Sequence, residues 1–215
     1  FIQEPPGGPA RPRQPWPAFF RSLGKPLRDL RRMALTTWAT GLGLMAVPFY
    51  IVAARQDYGA PPGVVAMFIA AMIAGAVVGN LAWGYIVDRH GGRRMVLVCV
   101  VVSALTPATA LLSNLFGWPV LVGVAALVGA TTSGRRVGFP SALLELAPPE
   151  RRATYSAAYA LLGLPVAVMP LLGGVIASRG SFNLLFILTA AALIGAVATA
   201  WWWNQGTCGP TGSET

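Results

Sequence analysis

The stretch GYIVDRHGGRRMVLV, Gly84 to Val98, decides the fold. Asp88, Arg89, His90, Arg93 and Arg94 crowd together between two apolar stretches, in a chain of 215 residues of which only 11% are charged. A soluble domain carries about 25% charged residues. Charge that is scarce elsewhere and gathered at one point marks a turn between two membrane-crossing helices. Gly91 suits such a turn because it accepts positive φ. Gly84 is expected to let the helix end approach a neighbour, and Asp88 to pair with an arginine or a neighbouring helix N-terminus.

The rest of the chain agrees. Apolar residues make up 55% of it and fall in blocks at 33–54, 63–87, 95–113, 118–146, 153–178 and 182–203. A helix needs roughly 20 apolar residues to cross a ~30 Å hydrocarbon core, and the fourth block reaches that length only by running through Arg135 and Arg136. The expected architecture is an all-α membrane protein with a six-helix bundle over 33–203. Residues 1–32 read as a Pro/Gly-rich linker ending in a basic segment, either a short surface helix or a solvated linker. Residues 204–215 read as a disordered tail. Connections this short leave no extramembrane domain. The chain lacks an initiator Met and starts as though cut from something longer.

A net charge of +9 raises the question of nucleic acid, but its placement excludes that partner. With loops assigned alternately to two sides, one side holds Arg11, Arg13, Arg21, Lys25, Arg28, Arg31, Arg32, Arg89, Arg93, Arg94, Arg151 and Arg152. The other holds only Arg55 and Arg179. Such a bias places the basic side in the cytoplasm, and with it both termini. Cys208 then lies in a reducing compartment and Cys99 in a span, so no disulfide is expected. Trp201, Trp202 and Trp203 fit an interfacial aromatic belt.

Polar residues and helix breakers inside lipid point to function. Gly41, Gly43 and Pro48 interrupt the first span, and Gly134, Gly138 and Pro140 the fourth. These two helices open the two three-helix units, and breaks at matching places in repeated units point to a binding site. Arg135 lies ten residues from Glu145, or about 15 Å deep at 1.5 Å per residue. Neighbouring helical residues are about 100° apart, so Arg135 and Arg136 cannot share one orientation. One should face a wet cavity and the other a neighbouring helix or a snorkelling route, as anion-binding, gating or structural groups. Trp38, Tyr50, Asn80, Ser133 and Tyr159 are further cavity candidates, although each aromatic could simply be packing. Asn80 follows the small-xxx-small pair Gly75 and Gly79, which favours close helix packing. No carboxylate lies at mid-membrane, so proton coupling within this chain lacks its obvious carrier.

The pattern G-x-x-x-D-R-x-G-x-R-R resembles the cytoplasmic loop signature of the major facilitator superfamily of secondary transporters, with Ile86, Val87 and Gly92 as departures. LLELAPPERRATYSA resembles that family's tenth-to-eleventh helix connection. MPLLGGVIASRGSFNLLFIL resembles its fifth- or eleventh-helix pattern. The resemblance implies a twelve-helix protein of two halves in the plasma (inner) membrane. This chain would be one half, the C-terminal one or, since the loop signature occurs in both, the N-terminal one. It implies a permease or efflux pump for a small organic solute, working by alternating access with the missing N-terminal six-helix half of the same polypeptide. Spans one and four would line the cavity. Gly84, Asp88, Arg89, Gly91, Arg93 and Arg94 would form a conformational latch or, more simply, a basic loop that sets topology. The alternative is a half-size protein acting as a homodimer or non-transporting scaffold. An intramembrane enzyme is disfavoured: H-E-x-x-H, G-x-S-x-G and a buried carboxylate pair are all missing from the sequence, and no cofactor or metal site is expected.

Overall fold

The computed structural model describes residues 30–179 and 181–205. The linker and tail expectations fall on residues 1–29 and 206–215, outside the described residues. Helix α1 (Arg31–Gly41) passes through a 3-10 turn, Leu42–Met45, into α2 (Val47–Gln56), and α3 runs from Val64 to Leu111. A short α4 (Ser113–Phe116) leads to α5 (Pro119–Leu146). Then α6 (Arg152–Gly163), a second interrupting 3-10 turn, Leu164–Val168, and α7 (Met169–Arg179) precede α8 (Phe182–Gln205). No strand occurs among the described residues.

Five segments are long and apolar enough to cross a membrane. One of them is double. The 48 residues of α3 would extend roughly 72 Å as one rod at 1.5 Å per residue, more than twice a ~30 Å hydrocarbon core. Gly91 breaks it, with φ 80° and ψ 166°, a conformation an L side chain rarely adopts. The chain reverses there, because Trp83 before the break packs against Met95 and Cys99 after it. Six spans result: α1 with α2, the two arms of α3, α5, α6 with α7, and α8. The connection expected around 88–94 is a loop only at Gly91, since helical hydrogen bonding reaches it from both sides.

Two apolar clusters hold the bundle, one at each end. The first joins Leu30, Met33, Val96, Leu143, Tyr155 and Trp203. The second joins Tyr50, Phe68, Leu121, Leu185 and Phe186. Each takes residues from antiparallel neighbours, so the spans alternate in direction. The first end carries Arg31, Arg32, Arg93, Arg94, Arg151 and Arg152, and the other Arg55 and Arg179.

The closest packing is between α5 and α3. A Cβ on Gly75 would strike the Ala126 carbonyl, and one on Gly129 the Met72 carbonyl. Glycine removes the side chain that would hold the backbones apart, so dispersion contacts form along the whole seam. Spans 2 and 5 leave much apolar surface open, including Ile73, Val78, Leu81, Leu164 and Leu171.

Candidate functional site

Arg135 and Arg136 sit consecutively on α5 and part company. Arg135 is partly buried and lines a cavity of about 30 Å³ between spans 1, 3, 4 and 6, with Tyr50, Thr106 and Thr132. Its guanidinium carbon lies 5.5 Å from the centre of the Phe139 ring. Arg136 is exposed and turns away from that cavity, lining an open groove of about 260 Å³ with Asn80, Ser133 and Met72; Thr132 borders both. The divergence is the one that the helical step requires.

The groove is polar at mid-depth. Ser133 donates to the Ala130 carbonyl at 2.8 Å, and the indole of Trp83 donates to the same carbonyl at 2.7 Å. The Ser133 hydroxyl oxygen therefore keeps acceptor capacity. The exposed Asn80 amide makes no hydrogen bond to another described residue, and Arg136 no ion pair to one. The amide N–H groups and the guanidinium suit a carboxylate or another oxyanion, and the Ser133 oxygen can accept from a hydroxyl or N–H of the same solute.

The other aromatic candidates lie elsewhere. Trp38 donates through Nε1 to the Leu162 carbonyl at 2.5 Å, bridging spans 1 and 5. Tyr159 stacks on Phe139, with centroids 6.3 Å apart. Tyr50 is buried against Phe186 at 5.0 Å and faces the inner cavity. So the sequence-derived set divides into a groove trio, an inner pair and a structural pair.

At the basic end, α5 holds the turn of α3. Glu145 Oε1 accepts the Gly92 N–H, and a Cβ on Gly92 would press on the Ala142 nitrogen at 2.5 Å. The expected close approach is therefore at Gly92. Nothing lies near Gly84, where a Cβ would meet open space. Asp88 is exposed and forms no ion pair with another described residue, contrary to the pairing expected of it. The arginines find rings instead: Arg89 lies over Tyr85 at 4.8 Å and Arg93 over Trp203 at 5.7 Å. Arg94 is exposed.

Residues 33–208 match the family model of the Major Facilitator Superfamily. The chain belongs to that superfamily. No curated protein matches it. As a member it is a multi-pass membrane transporter, and its all-helical bundle fits that family.

Within this superfamily chain the helix interruptions are not where the repeat argument expected both of them. Span 1 does break beside Gly41, Gly43 and Pro48, through its 3-10 turn. Span 4 does not: α5 is helical through Gly134, Gly138 and Pro140. Its glycines are spacers. A Cβ on Gly134 would meet Cys99 Sγ at 2.8 Å and the Trp83 ring at 2.9 Å, and one on Gly138 would strike Met95 Sδ. Pro140 removes one hydrogen bond, which leaves the Arg136 carbonyl without its helical donor. The second break is in span 5, at Leu164–Val168. Gly163, Pro165 and Pro170 signalled it in the sequence. Glu145, as anchor of the turn, and Thr106 carried no such signal.

Proposed function

We propose that this superfamily member moves a small organic solute by secondary active alternating access, and that Asn80, Ser133 and Arg136 form part of its solute site. The carrying observation is Arg136, exposed about 15 Å along the helix from Leu146 at 1.5 Å per residue. A lone arginine facing lipid at that depth costs about 2.5–3.5 kcal/mol on insertion scales. A water-filled path or a protein neighbour removes that cost. The groove would then be closed by six further helices of the same polypeptide, opposite this bundle. Its donors favour an anionic or amphiphilic solute over a cationic one.

By the positive-inside bias, the basic end faces the cytoplasm of the plasma (inner) membrane, and the termini with it. The Asp88 to Arg94 turn would act as a latch, closing against the other half in one state and releasing in the next. Asp88→Asn should then slow transport several-fold without loss of folded protein. Normal transport would reduce the motif to a topological loop.

The solute reading is tested in proteoliposomes holding the full-length transporter, with a panel of radiolabelled organic anions. Arg136→Gln should raise KM or abolish uptake at least tenfold for any transported anion. Unchanged transport of every anion would remove Arg136 from the solute site.

A further inference from the structure

The end of the bundle opposite the basic one carries Arg55 and Arg179 alone among the arginines and lysines of the described residues. The positive-inside rule disfavours basic residues there, so topology does not explain Arg55. It stands in the last turn of α2, where the partial negative charge of a helix end favours a cation without cancelling its charge. The side chain is exposed and forms no ion pair with another described residue. Arg55 and Gln56 line an open pocket of about 580 Å³ together with Ile51, Val52 and Val65. That volume is in the range of small-molecule sites, roughly 300–1,000 Å³. Asp57, the nearest acid in sequence, does not line it. Guanidinium and amide donors beside three aliphatic side chains suit an organic anion with an apolar body.

The pocket and the Arg136 groove share one face of span 2. Val65 lines the first, and Met72, Ile73, Ala76 and Asn80 line the second. The helix is continuous between them. At about 100° per residue, all four groove residues point within about 80° of Val65. From Val65 to Asn80 the helix rises about 22 Å at 1.5 Å per residue. Val65, Ile69 and Ile73 follow one another at four-residue steps and are 37%, 54% and 61% exposed. An apolar stripe therefore joins a cationic pocket at the mouth to a cationic groove at mid-depth. Lipid contact would account for the stripe, but not for the guanidinium at its inner end.

We propose that Arg55 and Gln56 form a second anion subsite, an outer capture site that takes the solute before Arg136 does. The carboxylate or other oxyanion of the solute meets the Arg55 guanidinium and the Gln56 amide. Its apolar body rests on Ile51, Val52 and Val65, and the stripe leads it inward. This inference rests on the reading of Asn80, Ser133 and Arg136 as the solute site. An exposed cation at the mouth of a path raises the local concentration of an anion and its rate of entry. Arg55 thus sets how dilute a solute can be captured from outside, and not how fast a saturated transporter turns over.

The test is entrance counterflow of radiolabelled benzoate, octanoate and cholate in right-side-out and inside-out membrane vesicles carrying the full-length transporter. The anion that exchanges fastest is then titrated. Arg55→Gln should raise its half-saturating concentration roughly threefold or more in right-side-out vesicles, with the maximal rate unchanged. Inside-out vesicles should show no shift, and Arg55→Lys should restore most of the wild-type value. The difference should shrink as salt is raised, because an exposed charge is screened. Coincident curves for Arg55→Gln and wild type, with Arg136→Gln still impaired, would overturn the capture site and leave the solute site standing. An equal shift from both sides would also overturn it, since Arg55 would then act on span 1 and not on capture. Exchange of none of the three anions, or full exchange in Arg136→Gln, would remove the solute site and the capture site together. Should Arg55→Gln fail to fold, Gln56→Glu decides. Its added carboxylate opposes the anion while Arg55 stays, so the same one-sided shift supports the site and an unchanged curve refutes it.

Discussion

The seam between spans 2 and 4 and the seam between spans 1 and 5 hold the same bundle by different means. At the first, both helices are continuous, and glycines bring backbone against backbone at Gly75 and Gly129. At the second, both helices are broken and the breaks meet. Val166, in the 3-10 turn of span 5, fills the space over Gly41, where a Cβ would come within 2.9 Å of it, and Gly173 lies against the Met45 carbonyl of the span 1 turn. A continuous helix satisfies its own backbone, so its seam needs only shape. A broken helix exposes carbonyls that lipid cannot serve, and a neighbour must supply the donors. Trp38 does this for Leu162. One seam is therefore built to stay fixed, and the other has the loosened backbone that movement needs. Arg136 opens beside the fixed seam, whereas Arg135 faces the span 1 turn through Gly43 and Leu44.

If that contrast is right, the largest effect comes from adding bulk to the fixed seam. Gly129→Val would drive a side chain into the Met72 carbonyl, where no rotamer change gives relief. Overpacking of this kind should cost on the order of 3 kcal/mol, read as a lower unfolding temperature and less monodisperse protein after extraction. A tolerated valine would mean the seam yields.

The broken seam should answer to chemistry more than to bulk. Trp38→Phe keeps the ring and removes the N–H, leaving the Leu162 carbonyl unsatisfied at about 2 kcal/mol. Hydrogen exchange should rise around 160–168 while α5 stays protected. If exchange rises equally in both, the two seams are one cooperative unit. Gly41→Ala is milder, since its new methyl meets the side chain of Val166 and not backbone. About 1 kcal/mol is expected from overpacking there, measured by thermal unfolding.

Much of this was legible in the sequence, and the illegible part has a physical cause. The turn at Gly91 announced itself, because charges amid apolar blocks leave the chain nowhere else to reverse. The divergence of Arg135 from Arg136 followed from the helical step, but which of them faced inward did not. That depends on Thr106 and Tyr50, distant in sequence, coming to one side of α5. Gly134 and Gly138 looked like hinges, yet a glycine bends a helix or admits a neighbour according to what stands opposite. Here Trp83, Cys99 and Met95 stand opposite, and no local pattern says so. The span 5 break has the same letters, Gly163 and Pro165, and repeat symmetry points to span 4 instead.

The smallest effect sharpens the comparison at its basic end, where α5 reaches past the seam to hold the turn. Glu145 is exposed, so water competes for its carboxylate. Glu145→Ala should cost only about 1 kcal/mol or less, well below a buried charged hydrogen bond. Glu145→Gln keeps an acceptor for Gly92 and should cost less still. The useful reading is transport set against stability. A turn that works as a latch should respond to Glu145→Ala in transport rate by more than its small stability loss explains, because releasing Gly92 frees the loop carrying Asp88 and Arg93. Transport and stability falling only in proportion would make the Glu145 contact one more strut of the fixed seam, and would leave the broken seam of spans 1 and 5 as the place where motion is built in.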